Sequence, residues 1–253
     1  HGGNPVMCKT GHAHVRKQVH DMVHRKTISA DTAVQVALFN NKGLQASYAE
    51  VGLAATEAWQ QATPLNPVVS IGVLGIGAPE LGAYRAIEGL IRMDLLNIKT
   101  RKKRMEISDA SFRLAQLSAV NDSLTLANQT RLAWVEAVAA FESVNYLEQA
   151  KATSDAGSEL AQKLGETGAL NSAGQAREHA FNAELAGQLA QGRLKAMQAK
   201  ENLTQLMGLW GTEVDYYVPN TLPTLPTSID SIANIEASAL KNRLDLRVAQ
   251  FGL

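Results

Sequence analysis

Apolar positions recur every three or four residues from Lys102 to Leu164, a stretch with no proline and with Gly157 as its single glycine. This spacing predicts one continuous α-helix, because residues three and four apart lie on the same helical face. At 1.5 Å per residue such a helix is roughly 90 Å long, against a usual length of about 11 residues. The long helix therefore does not fit inside an ordinary compact domain.

Two heptad seams run along the long helix, and each alternates steps of three and four residues. The first seam is mainly large and apolar: Leu117, Val120, Leu124, Ala127, Arg131, Trp134, Val138 and Phe141. The second seam is mostly small: Ala119, Ser123, Leu126, Thr130, Ala133, Ala137, Ala140, Val144 and Leu147. A helix with two seams has a packed neighbour on each side, so we expect it to belong to a wall or bundle of helices.

A chain reversal follows the long helix. The glycines and asparagine in 165–171 end the helical pattern, and a return helix is predicted over 172–207. Ser172 and Gln175 have the spacing of a capping box at its start. Small residues form a seam on the return helix: Ala176, Ala180, Ala183, Gly187, Ala190, Leu194 and Met197. The two helices together predict a long antiparallel coiled-coil hairpin with its tip at 165–171.

The N-terminal part predicts a helix and two strands. Ser29 or Asp31 caps a helix over 32–62, and alternating apolar and polar positions predict strands over 68–76 and 84–98. Strands of this length with one apolar face are typical of a transmembrane β-hairpin. A half-buried hairpin of a soluble domain has the same pattern, and the strands taken alone favour it. The predicted fold class is mainly α with a β-hairpin.

A Pro-rich segment at 208–229 separates this part from a second copy of its opening. Residues 235–247 resemble 34–46, since both contain Ala-Leu followed by Asn, a basic residue and Leu. We interpret 28–207 as a first repeat and 230–253 as the start of a second. We therefore expect the sequence to be a piece of a longer protein.

Composition and motif content argue against several classes of protein and site. The chain has 253 residues, with 24 basic and 24 acidic side chains, and this balance argues against a general nucleic-acid binder. A single cysteine, Cys8, excludes an internal disulfide framework. The sequence contains no run of 18 apolar residues, so no membrane-spanning helix is predicted. No catalytic, nucleotide-binding or zinc-protease motif occurs, so we expect neither catalytic residues nor a cofactor.

The first 27 residues are rich in glycine and histidine and lack periodicity, and we interpret them as a flexible leader. Its His12 and His14, together with His20, His24, Met7 and Cys8, are ligand types that suit a soft or borderline metal ion. Their spacing has no fixed geometry, which favours an exposed flexible segment over a metal site.

The order and spacing of four segments resemble those of the TolC family of outer-membrane efflux factors, from about residue 28 to the end. The segments are Ala-Val-Gln-Val-Ala-Leu-Phe-Asn-Asn-Lys-Gly-Leu-Gln-Ala at 33–46, Pro-Leu-Asn-Pro at 64–67, Leu-Met-Gly-Leu-Trp-Gly at 206–211 and Ala-Leu-Lys-Asn-Arg-Leu-Asp-Leu-Arg at 239–247. Leu244 departs from the family, which usually has proline there.

The resemblance implies half of a TolC-like protomer, with the two strands in the lipid bilayer of the bacterial outer membrane and the helices in a periplasmic tunnel. Such proteins are homotrimeric passive ducts that work with a periplasmic adaptor and an inner-membrane pump to export small molecules or metal cations. The resemblance also implies that the tip segment contacts the adaptor, namely Gly165, Glu166, Thr167, Gly168, Ala169, Leu170, Asn171 and Ser172. A soluble periplasmic coiled-coil adaptor or scaffold is the alternative.

Four carboxylates form an acidic stripe on the long helix. Glu148, Asp155, Glu159 and Glu166 fall within about 40° of one another at 100° per residue. Such a stripe would attract cations if it lined the tunnel entrance. A solvated outer face is the alternative interpretation and is slightly favoured.

Overall fold

The computed structural model describes residues 15–63, 68–74, 86–92, 95–224 and 234–251, and their side chains within 15–63, 100–224 and 234–250. The elements, in chain order, are α1 (15–23), α2 (Ala30–Asn40), α3 (Lys42–Ala62), β1 (Val68–Leu74), β2 (Ala86–Arg92), α4 (Leu95–Glu166), α5 (Ser172–Met207), a 3₁₀ helix (Gly211–Val214), α6 (Ile235–Asn242) and α7 (Leu244–Phe251). The chain divides into two units, His1–Ala46 with Asn121–Ser238 and Ser47–Val120 with Ala239–Leu253.

The first unit has a hydrophobic core where α1 and α2 meet α4, α5 and the segment after α5. Its fully buried side chains include Val19, Val36, Val138, Leu203 and Tyr216. The Trp134 indole Nε1–H donates to the Ile28 carbonyl oxygen at 3.0 Å, which ties α4 to the segment between α1 and α2. A buried tryptophan usually finds such a partner for its N–H, so this contact fixes the core as well as filling it.

The interpretation of 1–27 as a flexible leader is wrong for residues 15–23, which form α1. Val19 and Val23 are buried, and Val15 and Met22 pack against the same core. These four apolar residues recur at helical spacing, but polar and basic residues surround them in the sequence. Residues 1–14, including His12 and His14, lie outside the described residues.

Helices α4 and α5 form an antiparallel hairpin. The Arg193 guanidinium lies 2.8 Å from a Glu148 carboxylate oxygen, and nearer the tip the Asn182 amide donates to Asp155 at 2.8 Å. A Cβ atom added to Gly192 would lie 2.9 Å from the Leu147 Cδ1 atom, so glycine permits the close approach of the two helices there. Helix α4 has 72 residues and extends beyond the predicted range of 102–164 at both ends.

The second seam of α4 is the better buried of the two. Buried members include Ala119, Leu126, Thr130, Ala133, Ala137 and Val144. In the first seam Trp134 and Val138 are buried, whereas Val120 and Leu124 are 48% and 54% exposed. The small-residue seam predicted on α5 is exposed, and the half-buried or buried positions of α5 run instead through Asn182, Leu185, Leu189, Gly192, Ala196, Ala199 and Leu203.

The predicted helix over 32–62 is two helices separated at Asn41, which has an extended backbone with a ψ of 123°. Ser29 caps the first helix through its hydroxyl, 3.2 Å from the Thr32 amide nitrogen. The Asn41 side-chain oxygen then accepts from the Leu44 amide at 3.1 Å and starts α3. Asparagine competes with the helical backbone for these hydrogen bonds, which accounts for the interruption.

Helices α6 and α7 repeat this arrangement. Each pair consists of a helix that ends at an asparagine, Asn40 or Asn242, one non-helical residue and a second helix. Leu244 is the first residue of α7, the position at which proline is favoured in helices. The local structure therefore agrees with the sequence repeat.

In the second unit, β1 and β2 pair antiparallel with Ile71 opposite Gly89. The predicted second strand extended to residue 98, but β2 ends at Arg92 and α4 begins at Leu95. Apolar residues 91, 95 and 98 are spaced four and three apart, which fits a helix as well as a strand. Whether the two strands cross a membrane stays a prediction.

The end of α3 is held within the second unit by a guanidinium. The Arg101 Nη2 donates to the carbonyl oxygen of Ala62, the last residue of α3, at 2.5 Å. This bond satisfies one of the carbonyl groups that every helix leaves unpaired at its C-terminus.

Among the described residues, no helix is both long enough and apolar enough to span a membrane.

Candidate functional site

The tip segment begins with a tight C-terminal cap of α4. The amide of Gly168 donates to the Gly165 carbonyl at 3.0 Å, and the amide of Ala169 donates to the Leu164 carbonyl at 2.9 Å. Gly168 adopts a left-handed conformation with φ of 74°. This pair of bonds around a left-handed glycine is a Schellman motif, and it turns the chain within a few residues.

Asn171, rather than Ser172, is the N-cap of α5. Its side-chain oxygen accepts from the Gly174 amide at 2.8 Å, so the predicted capping box of Ser172 and Gln175 is wrong. Asparagine caps helices as well as serine does, and it occupies the preceding position. The Gln175 side chain instead donates to the Leu170 carbonyl at 3.3 Å and lies against Gly165, where an added Cβ atom would be 1.9 Å from Gln175 Nε2.

These caps leave most of the tip segment accessible. Gly165 and Leu170 are half-buried, and the other six residues of the tip segment are exposed. Gly168 has open space around it, with no other atom within 4 Å of an added Cβ. The tip is thus a tight turn that presents side chains and backbone groups to solvent. That it contacts an adaptor stays a prediction.

Each member of the acidic stripe has a polar or basic neighbour. Glu148 pairs with Arg193, Asp155 with Lys151, and Glu159 with Lys163 at 2.7 Å. The Gln162 amide lies 3.5 Å from the carboxylate of Glu166. Four carboxylates against three paired cations leave the stripe with a net charge of about minus one, so its attraction for cations is weaker than its four carboxylates suggest.

Hydrogen bonds also lower the pKa of two members of the stripe, Asp155 and Glu159. Donation first from Lys151 and then from Asn182 holds the pKa of Asp155 below its usual value. Donation from Lys163 likewise lowers the pKa of Glu159. Both carboxylates are therefore ionised at neutral pH. The position of the stripe relative to a tunnel stays a prediction.

At the base of the hairpin, where α5 ends at Met207, hydrogen bonds come from residues that the sequence pattern did not single out. The Asn40 side-chain amide donates to the Gly208 carbonyl at 2.7 Å, and that of Asn41 donates to the Leu206 carbonyl at 2.9 Å. Both bonds satisfy carbonyl groups at the C-terminus of α5. The signal available in the sequence was the Asn-Asn pair itself, which is unusual within a helical pattern.

No group of three or more His, Cys, Asp or Glu side chains that could hold a metal ion occurs in the part of the chain that the structure describes. His12 and His14 lie outside that part. Two other leader histidines, His20 and His24, do come together, with ring centroids 4.4 Å apart.

Solved outer-membrane channels have this arrangement of elements. CmeC, the outer membrane channel of Campylobacter jejuni, superposes with a TM-score of 0.67 at 17% identity, covering 88% of this chain and 50% of that chain. CusC, described for its folding and transmembrane channel formation, gives 0.69 at 17% identity and covers 88% and 53%. A membrane protein from Pseudomonas aeruginosa gives 0.71 at 15% identity and covers 88% and 54%.

The chain has a TolC-like fold. It spans about half the length of the channel proteins it matches. No protein-family model and no curated protein matches the sequence. The long α4 and its hairpin with α5 are the features that match this fold.

Proposed function

We propose that this chain is part of a passive duct in the bacterial outer membrane, the outer component of a tripartite efflux system. The duct carries small molecules or metal cations from the periplasm to the exterior and is not an enzyme. The observation that carries the proposal is the TolC-like fold, which covers 88% of the chain at TM-scores up to 0.71. The structures it matches include proteins described as outer membrane channels.

The exposed faces of the hairpin support assembly into a homotrimer with a periplasmic helical tunnel. The small-residue seam of α5 is exposed, and its Leu194 and Met197 are 56% and 66% exposed. On α4, Val120 and Leu124 of the first seam are also exposed. Apolar residues at heptad spacing stabilise helix packing when another helix buries them. Helices of a neighbouring protomer or of a second repeat would cover these seams in the trimer.

The strands are the proposed contact with the lipid bilayer. β1 and β2 form a seven-residue antiparallel ladder directly before α4. Lys102 and Lys103 lie near the start of α4 and are exposed. In the proposed duct these two side chains contact the lipid headgroups, because lysine can lay its apolar stem along a surface while its charged group stays in water.

The tip segment is the proposed docking site for a periplasmic adaptor, which in turn contacts an inner-membrane pump. Its Schellman turn pairs the carbonyls of Leu164 and Gly165, and its asparagine cap pairs the amide of Gly174. Glycines at the turn leave backbone groups open to a partner. Thr167 and Ala169 are both exposed, and the Thr167 hydroxyl donates to the Leu164 carbonyl of its own turn at 3.0 Å.

Site-specific crosslinking in cells tests the tip. Cysteine at Thr167 or Ala169 of the full-length protein should crosslink to the adaptor. Cysteine at Gln129 is the matched control, because Gln129 is also exposed but lies in the middle of α4. Equal crosslinking at all three positions would remove the special role of the tip.

Membrane fractionation tests the duct itself. The full-length protein should appear in the outer-membrane fraction, require detergent for extraction and migrate as a trimer after mild solubilisation. Recovery as a soluble periplasmic monomer would overturn the proposal and favour the alternative, a soluble coiled-coil adaptor or scaffold.

A further inference from the structure

We propose that His20 and His24 bind one divalent transition-metal ion of the borderline class, such as Cu²⁺, Ni²⁺ or Zn²⁺. The two residues are one turn apart at the C-terminal end of α1, where the His24 amide donates to the His20 carbonyl at 2.9 Å. Their rings stack with centroids 4.4 Å apart and an angle of 20° between the ring planes. This histidine pair is independent of the proposed duct function.

The spacing of the histidine pair suits chelation. Two histidines four residues apart on a helix project from the same face and can share one metal ion. The outer torsion of a histidine side chain is broad, so the His20 ring can turn from stacking to present a nitrogen without leaving a favourable rotamer. Both rings are half-buried and therefore partly open to solvent.

His24 already makes the supporting contact that metal-binding histidines make. Its Nδ1 atom lies 3.3 Å from the Thr212 carbonyl oxygen in the 3₁₀ helix. A carbonyl can only accept, so Nδ1 is the donor in this bond, which leaves Nε2 as the nitrogen that would bind an ion. Ligating histidines typically donate their other N–H to a carbonyl or carboxylate in this way, which fixes the ring and raises its basicity.

The backbone around the histidine pair is held in place. Arg25, in a left-handed conformation with φ of 53°, donates its amide to the Asp215 carbonyl at 2.6 Å and its Nε to the Asp215 carboxylate at 3.2 Å. Two residues on, Thr27 pairs with Tyr217 in a parallel bridge. The backbone of the site and the His24 ring are thus held in place before an ion arrives, and the His20 ring turns to complete the site.

The donor set indicates the class of ion. Imidazole nitrogens suit Cu²⁺, Ni²⁺ and Zn²⁺, and Cu²⁺ has the highest affinity of the three for such a site. No third His, Cys, Asp or Glu joins the pair among the described residues. Water therefore completes the coordination, and the ion is exchangeable rather than a permanent structural metal.

Copper titration followed by electron paramagnetic resonance tests the histidine pair. The protein is the whole chain with His1, His12 and His14 replaced by Gln and Cys8 replaced by Ser, so that no thiol reduces Cu²⁺ and the remaining histidines are His20, His24 and His179. We expect one Cu²⁺ per chain with hyperfine coupling from two imidazole nitrogens. Signals from one nitrogen or none would overturn the proposal, and this readout requires no change to the pair itself.

Variants of the pair provide the second arm. His20→Gln or His24→Gln in the same background should weaken Cu²⁺ binding by about tenfold or more. Removing a group that only supports a ligand already costs about that much affinity, so removing the ligand itself should cost at least as much. His179→Gln is the control, because that lone histidine lies beside Ser158 on the hairpin, with Nδ1 2.7 Å from Oγ. Equal affinity in all variants would show that the ion binds elsewhere. Circular dichroism checks that each variant is folded.

Thermal unfolding provides the third arm. An ion that binds the folded pair should raise the melting temperature of the parent chain with increasing Ni²⁺ or Zn²⁺, because a ligand of the native state stabilises it. The rise should be absent in His24→Gln and present in His179→Gln. A rise that persists in His24→Gln would contradict the assignment.

Discussion

Gly208 lies directly against the backbone of Asn40, 168 residues earlier in the chain. A Cβ atom on Gly208 would be 2.8 Å from the Asn40 carbonyl oxygen, and the Asn40 side chain donates to the Gly208 carbonyl at 2.7 Å. Gly208 is also left-handed, with φ of 65°, and its amide and that of Leu209 close a Schellman motif at the end of α5. This contact joins the two ends of the first repeat.

Gly208→Ala should therefore destabilise the chain by about 1 to 3 kcal/mol, because a side chain is disfavoured in the left-handed region and would collide with backbone. Urea unfolding measures the change. Gly187→Ala is the matched control, since Gly187 is helical and an added Cβ meets no atom within 4 Å. That variant should gain roughly 0.5 to 1 kcal/mol from reduced backbone entropy. Equal effects of the two substitutions would contradict the contact.

Trp134→Phe should lower the free energy of unfolding by about 1 to 3 kcal/mol, because it leaves the buried Ile28 carbonyl without its donor. Trp134 is 6% exposed. Trp210→Phe is the control, since Trp210 is 63% exposed and its ring faces the Arg16 guanidinium at 4.8 Å. Denaturant unfolding should separate the two variants clearly, and an equal loss in both would argue against the indole hydrogen bond.

Tyr216 should make stability fall at alkaline pH. Burial raises the pKa of Tyr216 from 10.0 to about 12, and its hydroxyl donates to the Lys200 carbonyl at 3.1 Å and lies 2.8 Å from Thr204 Oγ1. The folded state thus keeps the proton that the unfolded state loses first. The stabilisation is complete below pH 10 and is lost as pH rises towards 12, by about 2 to 3 kcal/mol in total.

Tyr216→Phe should remove that alkaline loss and flatten the stability profile between pH 10 and 12. It should also lower stability at neutral pH, because the hydroxyl bonds are gone. Tyr217→Phe is the control, as Tyr217 is 56% exposed. An alkaline loss that is the same in Tyr216→Phe and in the parent chain would assign it to another group.

Replacing Glu148, Asp155, Glu159 and Glu166 by Gln should lower the cation selectivity of single channels formed by the full-length protein, if the stripe lines the entrance. The effect should be larger at low salt, because screening limits the field to about 10 Å at 0.1 M. Replacing Lys151, Lys163 and Arg193 by Gln is the matched variant, and it should raise cation selectivity by exposing the paired carboxylates. Unchanged selectivity in both variants at low salt would place the stripe on the outer face.

Local sequence signals predicted the return helix of the hairpin well, because both ends of that helix carry such signals. The return helix begins at Ser172 and ends at Met207, as predicted, since glycines and asparagine mark the turn and Gly208 marks the end. The pairs Lys151–Asp155 and Glu159–Lys163 are also visible in the sequence as charges four residues apart.

Long-range contacts set the features that sequence patterns missed. Val19 and Val23 of α1 are buried only because α4, α5 and the segment after α5 surround them, and the polar composition of the leader hid their spacing. Asn41 interrupts a pattern that otherwise reads as one helix, and its partner, the Leu206 carbonyl, lies 165 residues away. Glu148 and Arg193 likewise meet only once the hairpin forms.

The buried core is concentrated at one end of the hairpin, and this has a consequence for local unfolding. Between residues 145 and 195, a fully described stretch, the buried side chains are Ser154, Ala161 and Leu185, whereas the base contributes the large cluster around Trp134, Val138 and Leu203. Local opening costs least where few apolar contacts are lost. Amide hydrogens near the tip should therefore exchange with solvent faster than those at the base. A partner that docks on the tip would slow exchange at the end of the hairpin where the fewest side chains are buried.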